Sequence, residues 1–194
     1  VGRAARGGRA EAEHALTAAW TAFAGWSTWR PSERARFLFK AAALLRRRKH
    51  LFSATMVFEA GKTWPEADGD TAEAIDFLEY YGREAVQLSA PLSLPRMAGE
   101  DNELVYAPLG VGVVIPPWNF PLAITAGMTA AAIVTGNTAI LKPASLTPIV
   151  AARFVELLEE AGLPPGVVNL LSGSGGEIGD YLVSHPRTRF ISFT

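Results

Sequence analysis

Short β-branched apolar runs alternate with helix-patterned segments through the second half of the chain, and this alternation limits the possible folds more than any other feature. Val111–Ile115 reads as a buried strand, and residues 122–134 read as a helix of small residues ending at Gly136-Asn137. Thr138–Leu141 reads as a second strand. Thr147 is the expected cap of the next helix, with Pro148 in its first turn, Gly162 after its last, and an apolar stripe of Val150, Phe154, Leu157 and Leu158. Residues 167–171 form a third expected strand, 176–183 a short helix and 189–193 a fourth strand. Strands and helices in strict alternation, joined by short turns, predict a parallel sheet with right-handed crossovers: an α/β, doubly wound, Rossmann-like layout. Ligands of such sheets bind at the carboxyl ends of the strands. The loops to watch are therefore 116–121, 142–145, 172–176 and whatever follows Phe193.

The first ninety residues have a different character. Residues 11–23 are an alanine-rich helix closed by Gly25. Pro31, Ser32 and Glu33 open a second helix, whose apolar face is Phe37, Ala41, Leu44 and Leu45 and whose end carries Arg46-Arg47-Arg48-Lys49. Residues 51–60 continue as helix and stop at Gly61, a left-handed cap. Asp70 and Glu73 form a capping pair for a further helix through Ile75, Leu78 and Ala85. Two prolines and Gly99 break the pattern between residues 91 and 102, where a loop or hairpin is expected. The chain divides accordingly into a helical region over 1–90 packing on the rest, an arm over 91–105, and an α/β domain over 106–194.

Composition removes whole classes of chemistry. There is no cysteine, which excludes disulfide scaffolds, thiolate metal sites and a cysteine nucleophile on this chain. A net charge of -1 supplies no field for nucleic acid or anionic membrane, and the one basic run reads as a solvated helix end. His14, His50 and His185 are scattered without ligand-like spacing, so no metal is expected. The longest apolar stretch, 122–134, is shorter than the ~18 residues of a membrane span, and no secretory signal opens the chain; a cytoplasmic protein is expected. A first residue that is Val, and a last strand followed by one residue, lead to the expectation of a truncated piece.

Three segments can carry chemistry. In Pro116-Pro117-Trp118-Asn119-Phe120-Pro121, prolines on both sides stiffen the loop and present the Asn119 carboxamide, whose two donors suit a developing oxyanion. On this loop alone, a rigid turn with a capping asparagine is the plainer reading. Lys142 ends a strand and can donate to a ribose or a phosphate, although most strand-end lysines are simply solvated. Ser172-Gly173-Ser174-Gly175-Gly176-Glu177-Ile178-Gly179 lets a ligand approach the backbone before a helix. It misses the G-x-G-x-x-G fingerprint, because its third glycine falls one place late at Gly179.

In order, Pro108-Leu109-Gly110-Val111-Gly112-Val113-Val114-Ile115-Pro116-Pro117-Trp118-Asn119-Phe120-Pro121, Asn137-Thr138-Ala139-Ile140-Leu141-Lys142-Pro143, Gly162-Leu163-Pro164-Pro165-Gly166-Val167-Val168-Asn169 and Phe190-Ile191-Ser192-Phe193-Thr194 resemble the aldehyde dehydrogenase superfamily over essentially the whole chain. Glu59-Ala60-Gly61-Lys62-Thr63-Trp64-Pro65-Glu66-Ala67-Asp68 and Ala72-Glu73-Ala74-Ile75-Asp76-Phe77-Leu78-Glu79-Tyr80-Tyr81 are similar to its 1-pyrroline-5-carboxylate dehydrogenases, which oxidise L-glutamate γ-semialdehyde to glutamate in proline catabolism. The resemblance implies that Asn119 is the side-chain half of an oxyanion hole. It implies that Ile115, Pro116, Pro117 and Trp118 line an NAD groove and that Phe120 packs beside the aldehyde. Lys142 would hold the adenine ribose, Gly175 and Gly179 would admit the pyrophosphate, Phe193 and Thr194 would open the next cofactor loop, and Glu73 would meet the amino-acid end of the substrate. It also implies that 91–105 is an arm for homo-oligomer assembly.

Two departures from the family pattern matter. Ser145 stands where many NAD-preferring members place a glutamate, so NAD is expected first, with NADP tolerated. The family's cysteine nucleophile and general-base glutamate lie in segments beyond Thr194, so this chain alone is expected to be inactive. The other readings are a non-catalytic nucleotide-binding or oligomerisation module of the same fold, and an unrelated dehydrogenase with an ordinary Rossmann domain, against which the missing fingerprint counts.

Overall fold

A computed structural model describes residues 2–194; Val1, from which a missing natural start was inferred, lies outside the described residues. The elements are α1 (Arg9–Trp26), α2 (Pro31–Arg47), α3 (Lys49–Ala60), α4 (Trp64–Leu88), β1 (Val111–Ile115), α5 (Ala123–Val134), β2 (Thr138–Leu141), α6 (Pro148–Glu160), β3 (Val168–Leu170), a π-helical turn (Gly175–Gly179) running into α7 (Asp180–Ser184), and β4 (Phe190–Phe193). All strand pairs are parallel, in the order β3-β2-β1-β4, with Val114 opposite Leu141, Leu141 opposite Leu170 and Ile115 opposite Phe193.

Successive strand residues point to opposite faces, and each face has its own core. Val111, Val113 and Ile140 join Ala12, Leu16 and Ala19 of α1 with Ile178 and Leu182 on one side. Val114, Ala139 and Leu141 join the buried faces of α2, α4, α5 and α6 on the other. The crossovers through α5 and α6 step outward on that second side, and the third returns past β1 through α7 on the first. The winding therefore reverses at β1, which makes the carboxyl end of β1 the topological switch point where open α/β sheets take their ligands. Gly112 makes the β1–β4 pairing possible: a Cβ there would sit 2.1 Å from Phe190 Cζ.

Long-range polar contacts hold the helices to this sheet. The buried Arg34 donates from Nε to Val134 O at 2.8 Å, and Trp26 Nε1 donates to Ile133 O at 2.9 Å, so the α1–α2 corner closes the end of α5. Asn137 Oδ1 accepts from the backbone of Leu109 and Gly110 at 2.6 and 3.0 Å and sets the entry into β1. Glu13 on α1 gathers Tyr181, Arg187 and, at 2.9 Å, His185, fastening α1 to the α7 region. No described helix is long and apolar enough to cross a membrane.

The strands fall within a residue of expectation, but several local expectations are corrected. Asp70 and Glu73 do not open a helix: α4 starts six residues earlier, where Thr63 and Glu66 form the reciprocal capping pair, with Thr63 N donating to Glu66 at 3.0 Å. The helix expected to run on through 51–60 is broken at Arg48, whose φ of -108° and ψ of 17° separate α2 from α3. Of the loop or hairpin expected after residue 90, residues 91–105 take the loop form, non-repetitive and almost wholly exposed. The helix expected over 176–183 begins instead as a π-turn at Gly175. Thr147 makes no capping bond to α6, because another residue already occupies that place.

Candidate functional site

The loop after β1 cannot hold itself by backbone hydrogen bonds in the usual way, since Pro116, Pro117 and Pro121 have no N–H to donate. Pro116 and Pro121 are buried, whereas Trp118, Asn119 and Phe120 are exposed. What fixes the loop comes from far away in sequence. Gly61 closes α3 in the left-handed conformation at φ 69°, and this turns Lys62 toward the loop. Lys62 Nζ donates to Asn119 O at 2.8 Å, pairs with Asp70 Oδ2 at 2.8 Å, and sits 4.5 Å from the centre of the Phe120 ring. Asp70, only 2% exposed, uses its other oxygen to accept from Ala123 N at 2.6 Å. That carboxylate caps α5 and faces the positive end of its dipole, a task that Leu122 at the N-cap position cannot perform.

The bond to Asn119 is made to its backbone oxygen, so both donors of its carboxamide remain available. Lys62, Asp70, Glu73 and residues 118–120 line one cleft of about 460 Å³. The structure thus brings together Asn119, Phe120 and the exposed Glu73.

The other expected residues follow the carboxyl edge of the sheet. Lys142 continues the ladder after β2, its N–H donating to Val114 O at 2.9 Å, and the residue is 6% exposed. Among the described residues no carboxylate lies within ion-pair distance of its ammonium, and burial pushes its pKa down. A Cβ on Gly179 would lie 3.6 Å from Lys142 Cε, so the lysine and the glycine-rich turn are neighbours. Ser174 Oγ accepts from Glu177 N at 3.2 Å to start the turn. The glycines of this turn have different reasons. A Cβ on Gly173 would strike Ile178 Cδ1 at 2.5 Å, whereas one on Gly175 meets nothing within 4 Å and leaves open space above the backbone.

A largely buried lysine without a counter-charge among the described residues, on the same edge as that open turn, supplies donors suited to hydroxyls and phosphates. Ile115, Pro116, Pro117 and Trp118 extend the same edge at β1. Phe193, 73% exposed, and Thr194 extend it at β4, and Ser145 lies exposed on the β2–α6 turn. A second concavity, about 1060 Å³, lies elsewhere, between α1 and α6 along the outer side of β3, and contains none of these residues.

Sequence reasoning missed Lys62, Asp70 and Glu59 as parts of the site. Glu59, at the end of α3, accepts from Ile149 N at 2.6 Å and Val150 N at 2.8 Å and so caps α6 in place of Thr147. The short stretch from Glu59 to Asp70 therefore caps both helices that leave the site loops. The available signal was the carboxylate-Gly-Lys run itself, which no periodicity argument explains.

Residues 1–194 match the aldehyde dehydrogenase family. The chain is 62% identical, over all 194 of its residues, to the 1-pyrroline-5-carboxylate dehydrogenases of Anoxybacillus flavithermus and Geobacillus kaustophilus, and spans 38% of the length of each. Among solved structures it is similar to 1-pyrroline-5-carboxylate dehydrogenase from Thermus with bound NAD, with a TM-score of 0.94 and 55% identity, covering 96% of this chain and 36% of that one. It is also similar to proline utilization A of Bradyrhizobium japonicum, with a TM-score of 0.93 and 40% identity, covering 97% of this chain and 19% of that one.

Proposed function

The chain belongs to the aldehyde dehydrogenase family, and from that premise we propose that it supplies the first part of an NAD-linked enzyme oxidising L-glutamate γ-semialdehyde to glutamate in proline catabolism. The observation that carries this reading is the adjacency, along one sheet edge, of a free asparagine carboxamide after β1 and a buried, unpaired lysine after β2. NAD, when bound, supplies the hydride acceptor. Lys142 donates to ribose hydroxyls, residues 115–118 form one wall of the groove, and the open backbone at Gly175, with Gly179 packed beside Lys142, lets a pyrophosphate lie close. Phe193 and Thr194 lead into the remaining wall, and Ser145, which carries no charge to repel a 2′-phosphate, leaves NADP tolerated behind NAD.

Asn119 donates to the aldehyde oxygen. As a thiolate attacks the carbonyl carbon, charge moves onto that oxygen, and the fixed carboxamide dipole stabilises it more than it does the neutral carbonyl. Phe120 shields the reacting carbon from water, and Glu73, across the cleft, accepts from the substrate amine. Neither the thiolate nor the base that activates water is on this chain, which has no cysteine. The complete protein is proposed to work in the cytoplasm as a homo-oligomer, with the exposed 91–105 segment contributing to assembly.

A non-catalytic module of the same fold would bind nucleotide yet lack any aldehyde chemistry in its complete form. The test is NADH formation, followed by absorbance, with L-glutamate γ-semialdehyde as substrate. The complete protein is expected to turn over with NAD in preference to NADP, and the 194-residue chain alone is expected to give no signal. Aldehyde-dependent NADH from the chain alone, or none from the complete protein, would overturn the reading.

A further inference from the structure

We propose that Lys62 and Asp70 are positioning residues that aim the Asn119 carboxamide, a role that rests on the oxyanion function proposed for Asn119. An oxyanion donor is useful only if it is held within about 2.7–3.1 Å of the place the charged oxygen will occupy, and a displacement of roughly 1 Å costs on the order of 100-fold in rate. The loop that carries Asn119 has three prolines and no backbone N–H of its own at those positions with which to define a turn. It is clamped from outside at two points. Lys62 Nζ holds the carbonyl of Asn119 at 2.8 Å, and Asp70 Oδ1 holds the amide of Ala123, just past the loop, at 2.6 Å.

The two clamps are one unit, because the same Asp70 carboxylate grips the Lys62 ammonium at 2.8 Å. The ion pair is also shielded, with the Asp70 side chain 0% exposed and that of Lys62 10% exposed, whereas the bond from Lys62 to Asn119 O lies at the exposed loop. Burial makes it specific to this geometry, since a surface pair of this length would be screened by solvent. The Phe120 ring, 4.5 Å from the ammonium, is held by the same cation. A carbonyl held at residue 119 anchors the peptide plane on which the Cα of the same residue lies and so limits the directions its Cα–Cβ bond can take. Lys62 and Asp70 thereby orient the carboxamide while leaving its donors free.

The experiment compares Lys62→Met, Asp70→Asn, Asn119→Ala and the double variant Lys62→Met/Asn119→Ala in the complete dehydrogenase, with thermal melting measured for each. Asp70→Asn keeps an acceptor for Ala123 N and removes the charge that holds Lys62. Lys62→Met and Asp70→Asn are each expected to lower kcat about 10-fold to 100-fold with KM for NAD unchanged. In the Asn119→Ala background, Lys62→Met is expected to cost less than about 2-fold more, because the residue acts through Asn119. A crystal structure of Lys62→Met is expected to show the Asn119 carbonyl displaced.

If Asn119→Ala leaves kcat unchanged, the functional reading fails and this inference falls with it. If Asn119→Ala lowers kcat while the Lys62 and Asp70 variants match the wild type, only the inference fails. Additive losses in the double variant, or an unmoved Asn119 in the crystal, also overturn it. Should Lys62→Met not fold, Lys62→Gln, shorter and uncharged, replaces it: a lowered kcat at an unchanged melting temperature supports the role, and a wild-type kcat refutes it.

Discussion

Lys142 and Lys62 are both lysines with little exposure, and their environments give them different work. Lys62 is neutralised by Asp70, whereas Lys142 has no carboxylate within ion-pair distance among the described residues. Replacing Lys142 with Met removes an uncompensated buried charge, so the ligand-free melting temperature is expected to hold or rise while NAD affinity falls about 10-fold or more; calorimetric titration and thermal melting check the two halves. The pH dependence follows from burial, which lowers the folded-state pKa below the ordinary 10.5. Between the folded and unfolded values the unfolded chain binds more protons, so ligand-free stability gains with rising pH in that alkaline window. NAD binding weakens in the same window as the ammonium loses its charge and one of its three donors. The strand-end positions of Asn119 and Lys142 are legible in the sequence because each follows a strand that its own residues define. Lys62 was not, since its partner Asn119 is 57 residues away and Asp70 looked like a local cap.

Helices in this molecule start where distant carboxylates allow them to. Glu59 bridges the first amides of α6, while Thr147, the local candidate, makes no capping bond. Glu59→Ala is therefore expected to destabilise the protein by about 1–2 kcal/mol, or roughly 2–4 °C per kcal/mol in melting temperature. Thr147→Val, which removes only the hydroxyl, is expected to stay within about 0.5 kcal/mol. Equal losses from both would show that the hydroxyl matters after all. The strands were legible because parallel strands buried on both faces are apolar throughout, as in Val111–Ile115 and Thr138–Leu141. The beginning of α4 was equally legible in Thr63 and Glu66, but Asp70 and Glu73 repeat the same spacing within the helix and drew the boundary inward. The turn at Gly175 carries no periodic signal, so its π geometry could not be read from pattern.

At the scale of the molecule, the sheet has two outer strands, β3 and β4, and a broad scatter of exposed apolar side chains. Leu104, Val105, Tyr106 and Leu109 are 51% to 69% exposed on the segment leading to β1, and Phe193 is 73% exposed on β4. An apolar outer strand of this kind is a template for pairing with other chains. The 194-residue chain is expected to self-associate as concentration rises, which sedimentation velocity would measure; a monomer melting cooperatively at high concentration would contradict it.

The strand order also has a consequence in time. β1 is hydrogen-bonded on one side by β2, which follows closely in sequence, but its other side waits for β4 near residue 190. During synthesis at ~5–20 residues per second, the Gly112 side of the central strand is left open for several seconds, long enough for chaperones to engage it and for neighbouring nascent chains to compete for the gap that Phe190 later fills.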